Sequence, residues 1–129
     1  MKFLETKDAP KAIGPYSQAV EYNGLLYTSG QISLMPDGAM ETGDIEHQTK
    51  QVMKNLFYVL RAGGSHYSDI IKVTIFLTDM NNFNKVNAIY EHLLGDHKPA
   101  RSTVAVKELP KNALIEIECI AKAGGDYTF

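Results

Sequence analysis

The chain has 129 residues, 44% of them apolar and 22% charged, with a formal net charge of −2, the make-up of one soluble globular domain spanning 1–129 that needs no disulfide or metal to build a core. Thirteen basic residues stand against fifteen acidic ones with no basic run, which argues against a protein that lives on nucleic-acid phosphates. The single cysteine, Cys119, excludes an intrachain disulfide and any metal site built on paired cysteines.

Charge begins at Lys2, too early for the apolar core of a signal peptide. No stretch approaches the roughly 20 apolar residues of a membrane helix. A cytoplasmic, reducing location is expected.

In chain order, residues 16–22 and 25–29 read as a strand pair about the hairpin signal Asn23-Gly24, and residues 35–38 (Met-Pro-Asp-Gly) as a further turn. A long helix is predicted over 44–62, with Ile45, Val52, Leu56, Val59 and Leu60 on one face, Asp44 as its cap and Gly63 as its left-handed terminator. The β-branched run 70–77 is a strand, with Ile71, Val73, Ile75 and Leu77 on one side and Ile70, Lys72, Thr74 and Phe76 on the other. A second helix over 83–94 carries Phe83, Val86, Tyr90, Leu93 and Leu94 as its stripe and stops at Gly95. Strands over 101–106 and 114–121 follow. This order is α+β, with two helices on one face of a mixed sheet.

The last two strands carry the chemistry. Alternation groups Ile115, Ile117, Cys119 and Ala121 on the helix side and leaves Glu116 and Glu118 on the open side. Applied to the preceding strand, with Val104 and Val106 facing the helices, it places Arg101, Thr103 and Ala105 beside the glutamates. An arginine and a carboxylate on one face are compatible with an ordinary cross-strand ion pair. The same open face also carries Ile70, Phe76 and Ile120, too apolar to stay wet, and a second copy of the chain is the simplest cover. At the rim of such an interface an arginine fork can grip a substrate carboxylate in two parallel hydrogen bonds.

At these residues the sequence resembles the Rid family. The resemblance runs from Ala9 to about Ala123. It is carried by Ala12-Ile13-Gly14-Pro15-Tyr16-Ser17-Gln18-Ala19, by Thr28-Ser29-Gly30-Gln31-Ile32, and by Val86-Asn87-Ala88-x-Tyr90. It continues through Pro99-Ala100-Arg101-Ser102-Thr103-Val104, Leu109-Pro110 and Ile115-Glu116-Ile117-Glu118. The resemblance implies a chorismate-mutase-like fold with a six-stranded mixed sheet, assembled as a homotrimer with active sites at the subunit interfaces. It implies a cofactor-free, metal-free deaminase that hydrolyses reactive 2-imino acids (2-iminobutanoate, 2-iminopropanoate) to 2-keto acids and ammonia.

Arg101 matches the arginine that grips the substrate carboxylate, and Glu116 the glutamate associated with the attacking water. Tyr16, Ser29, Gly30 and Asn87 match pocket positions. Thr103 stands where the family often has cysteine; a role through the backbone carbonyl survives that change and a thiol role does not. Residues 124–129 run past the usual family end.

Each residue also has a plainer reading. Glu116 can pair with a basic residue across the sheet, Asn87 can tie down backbone, and Ser29 can serve a turn. Tyr16 can be an interface core residue and Gly30 can serve backbone geometry. Glu118 reads as structural, Cys119 as an inert core thiol, and the four histidines as surface. The same trimer without a competent Glu116 would be a non-catalytic regulator that binds small carboxylates. A nuclease or translation inhibitor is disfavoured by the charge balance, and a chorismate mutase rests on fold analogy alone.

Overall fold

The computed structural model describes residues 1–125; the end of the tail, 126–129, lies outside them. Among the described residues six strands, β1 (Lys2–Leu4), β2 (Ala19–Tyr22), β3 (Leu25–Thr28), β4 (Ile70–Leu77), β5 (Ala100–Ala105) and β6 (Ile115–Lys122), form one sheet. Their order is β1-β2-β3-β6-β4-β5, antiparallel throughout except where β4 runs parallel to β5. Helices α1 (Ile45–Ala62) and α2 (Phe83–Leu94) bury their apolar stripes, Val52, Leu56, Val59 and Leu60 with Val86, Tyr90 and Leu94, on one face of that sheet. No helix among these residues is long and apolar enough to cross a membrane.

The expected α+β layering is present, and the turn signals act as read. Asn23 and Gly24 both take positive φ between β2 and β3, and the Asp44 carboxylate accepts from the His47 N–H at the start of α1. At its far end the left-handed residue is Gly64 (φ +69) rather than Gly63 (φ −97). Gly63 is needed for another reason: a Cβ there would press within 2.9 Å of Leu4 and Leu26.

Alternation holds along β6, where Ile115, Ile117, Cys119 and Ala121 are buried between more open neighbours. It fails at two places. A bulge in β4 lets Ile70 pair with Ala121 and Lys72 with Ile120, so Ile71 is an extra residue that turns outward. Ile70 therefore lies in the core and Ile71 is exposed, the reverse of straight period-2 counting.

Strand β5 also departs from the expected faces. Arg101 pairs in register with Val73 and Thr103 with Ile75, and both partners are core residues on the helix side. Arg101 and Thr103 hence face the helices. Ser102 and Val104 take the open side, where the Lys72 ammonium donates to the Ser102 hydroxyl at 2.8 Å and Val104 is 44% exposed. The valines misled because β5 is an edge strand, where burial no longer enforces which face is apolar.

Polar side chains missed in the sequence tie the loops to this frame. Buried Gln18 receives the Thr6 N–H at 2.6 Å and donates to the Pro10 carbonyl at 2.7 Å, pinning the segment before β2, which begins at Ala19 and leaves Tyr16 in a loop. Buried Asn55 of α1 donates to the carbonyls of Ile32 (3.1 Å) and Leu34 (2.7 Å). Asn55→Ala leaves both acceptors unmet, so we expect a loss of about 1–3 kcal/mol in denaturant unfolding. His97, read as surface, is half-buried and holds the Ile70 carbonyl at 2.7 Å through Nε2.

Candidate active site

The candidate residues, Thr103 apart, fall into two clefts. The first, about 320 Å³, is lined by Tyr16, Ser29, Gly30 and Glu116, together with Lys11, Ile13, Ile32 and Lys111. Glu116 stands on the open side of β6 opposite Phe76. Burial pushes its carboxyl above the ordinary glutamate range, and the neighbouring Glu118 carboxylate adds to the rise. A half-buried glutamate that holds its proton more tightly than usual is a stronger base once ionised.

Gly30 lies flush beneath that carboxylate. A Cβ at residue 30 would overlap the Glu116 side chain, with its Cδ at 2.7 Å. Close approach, rather than a special φ, explains the glycine. Gly30→Ala must displace Glu116; we expect the fold to persist while any Glu116-dependent rate falls severalfold or more, which circular dichroism and kinetics together would show.

Ser29 donates its hydroxyl to the Ser17 carbonyl at 2.5 Å, and its N–H reaches the Gln18 carbonyl at 2.9 Å. The hydroxyl thus secures the loop that carries Tyr16 and keeps acceptor capacity toward the cleft. Tyr16 is 52% exposed, not a packed core residue within the chain. Lys111, with φ 56 in the short turn Pro110–Asn112, holds a left-handed backbone that no sequence signal announced.

The second cleft, also about 320 Å³, lies between α2 and β5 and is lined by Asn87, Tyr90, Leu94, His97, Lys98 and Arg101 among others. Asn87 is half-exposed on its wall, so it is not a buried tie for backbone. The Arg101 guanidinium stacks over the rings of Phe83 (5.5 Å) and Tyr90 (5.0 Å). No described residue forms an ion pair with it. A guanidinium held beside aromatic rings with its N–H groups unspent is able to receive a carboxylate. Thr103 lines neither cleft, and its hydroxyl is buried without a partner.

Arg101 and Glu116 do not meet within one chain. They sit on opposite faces, two strands apart and opposite β4 residues three positions apart, a separation of about 14 Å from strand geometry alone.

This frame has close counterparts among solved structures. The family model described as Endoribonuclease L-PSP matches residues 6–123. The chain belongs to that family, which includes the Rid proteins. Among Rid relatives, the 2-iminobutanoate/2-iminopropanoate deaminase of Mus musculus is 42% identical over 124 residues, covering 95% of this chain and 92% of its own. The structure of the Rid-family protein YyfA from Yersinia pestis superposes with TM-score 0.92 at 52% identity, covering 95% of this chain and 98% of that one. Escherichia coli TdcF, solved with bound serine, gives TM-score 0.90 at 39% identity over 96% of this chain and all (100%) of that one. Some Rid relatives are therefore named as imine deaminases, while others, such as that of Pyrococcus horikoshii, carry only the name RutC family.

Proposed function

We propose that this protein is a cytoplasmic, cofactor-free deaminase that hydrolyses 2-imino acids to 2-keto acids and ammonia. Its site is completed when the Glu116 cleft of one protomer meets the Arg101 cleft of another. The observation that carries this reading is the division itself: an unpaired, stacked guanidinium in one cleft and a partly buried, basic carboxylate in another, each half a site.

A second copy is the occupant because the open face offers it a seat. Phe3 (70% exposed), Tyr27 and Val104 stand out on that side, with Val20, Phe76 and Ile120 between them. Such a patch is expected to be covered in a stable assembly, and a cyclic homotrimer repeats one heterologous contact three times, closing all three sites.

The chemistry needs few groups. A 2-imino acid presents a carboxylate, an electrophilic C=N carbon and a nitrogen that must leave. The Arg101 fork holds the carboxylate, as expected from a family fold that in TdcF accommodates serine, itself a carboxylate. Glu116 takes a proton from water as the oxygen bonds to the imine carbon, and returns it to nitrogen. The carbinolamine then collapses: Glu116 carries its hydroxyl proton to nitrogen as the C–N bond breaks, so ammonia departs and the C=O forms. Help of this kind is worth about 10²–10⁴ in rate. Tyr16 and Ser29 add hydroxyl contacts along the same wall, and Asn87 lines the carboxylate side.

The test is direct. A pyridoxal-phosphate-dependent dehydratase generates the imine in situ, and its decay is followed with and without this protein. Faster decay with the protein is the expected result. Unchanged decay, with 2-keto acid still bound, would leave a carboxylate receptor in place of an enzyme.

A further inference from the structure

Resting on that reading, we infer that Tyr90 and Phe83 are positioning residues for the carboxylate site: an aromatic bracket that fixes the Arg101 guanidinium with its hydrogen-bonding edge free. Arg101 lies on β5, the strand at the end of the sheet, where a long side chain would ordinarily sample many rotamers. Its guanidinium instead lies 5.0 Å from the Tyr90 ring centroid and 5.5 Å from that of Phe83, both on α2. The rings hold the cation within cation–π range, while no described side chain or carbonyl takes its N–H groups. A carboxylate on the same side chain's path would bind that edge and compete with substrate. An aromatic pair holds the cation without competing.

Tyr90 separates ring from hydroxyl. The residue is 9% exposed within the core, and its hydroxyl oxygen is buried with no hydrogen-bond partner. Burial also raises the phenol's pKa, with Arg101 pulling the other way, so the ring stays neutral under the cation. Among the described residues nothing uses the hydroxyl. The ring is what the site requires.

The experiment measures binding of 2-oxobutanoate by calorimetry, and imine turnover, for four proteins: wild type, Tyr90→Phe, Tyr90→Leu and Phe83→Leu. Tyr90→Phe keeps the stack and should match wild type in keto-acid Kd and in KM. Tyr90→Leu and Phe83→Leu should each raise Kd and KM about 2- to 30-fold, the effect of losing a cation–π contact of about 0.5–2 kcal/mol, with kcat within about twofold.

A leucine that only loosened the core would lower Tm and leave Kd unmoved. That pattern, or a Tyr90→Phe loss as large as that of Tyr90→Leu, overturns the bracket while the carboxylate site stands. Wild-type protein that binds no 2-oxobutanoate overturns the carboxylate site and the bracket with it. Should Tyr90→Leu fail to fold, Phe83→Leu, at a half-buried position, carries the comparison.

Discussion

Arg101→Ala chains and Glu116→Gln chains, each severely slowed alone, should regain activity when mixed. Within one chain Arg101 faces the helices beside Val73 and Glu116 faces away from them beside Phe76, so no rotamer brings both to one small ligand. If each site takes its arginine from one protomer and its glutamate from the next, co-refolding equal amounts of the two variants makes some sites with both groups intact. Random assortment in a ring gives about a quarter of wild-type activity per site.

The single variants set the baseline. Arg101→Ala removes two charge-assisted hydrogen bonds of about 1.5–3 kcal/mol each, so kcat/KM should drop about 10²–10⁴-fold. Because Arg101 pairs with no described carboxylate, its removal should leave folding and subunit assembly in place, which size exclusion would check. Activity that stays at the sum of the two variants would assign the whole site to one chain and end the shared-site proposal. Dissociation of Arg101→Ala into single subunits would give Arg101 an assembly role instead.

The helices, the turns and the polarity of β6 were legible because each is written in local chemistry. Asp44, Asn23-Gly24 and the Ile115-x-Ile117-x-Cys119-x-Ala121 alternation act within a few residues of themselves. The faces of Ile70 and Arg101 were not legible, for two different reasons. The bulge at Ile71 is set by pairing with β6 some 50 residues away, and one inserted residue inverts every parity count before it. On β5 the usual inference from apolar to inward fails: Val104 lies on an open face that is itself apolar, while the charged Arg101 is received inward by two aromatic rings.

Strand alternation singled out Arg101 and Glu116, and the family pattern added Tyr16, Ser29, Gly30 and Asn87; neither states which protomer supplies each. The division into two clefts therefore emerged only from the strand register. Gln18, Asn55 and Gly30 show the same limit. An amide that anchors a loop, or a glycine that admits a carboxylate, is recognisable only once its distant partner is in place.

The second large effect concerns protons. Glu116 has its pKa raised, first by burial and then by Glu118. If it acts as the base that accepts the water's proton, turnover should fall as pH drops through that raised value, so the acid limb of kcat lies above the ordinary glutamate range. Glu118→Gln removes the second cause and should slide the limb to lower pH while kcat at the plateau stays close to wild type. Glu116→Gln should abolish the limb and lower kcat about 10²–10⁴-fold, after subtraction of the imine's own hydrolysis.

Stability moves the opposite way. A raised folded-state pKa means the fold binds the proton more tightly than the unfolded chain does. The linked stability is therefore present below the unfolded pKa and lost as pH rises through the folded one. At neutral pH the ionised Glu116 thus opposes folding, and Glu116→Gln should raise Tm there, with the gain vanishing in acid below the ordinary glutamate range. A variant that turns over slowly yet melts higher, only above that range, is what a carboxylate kept for chemistry should give. A Glu116→Gln protein that melts lower at neutral pH would make this carboxylate a structural partner instead.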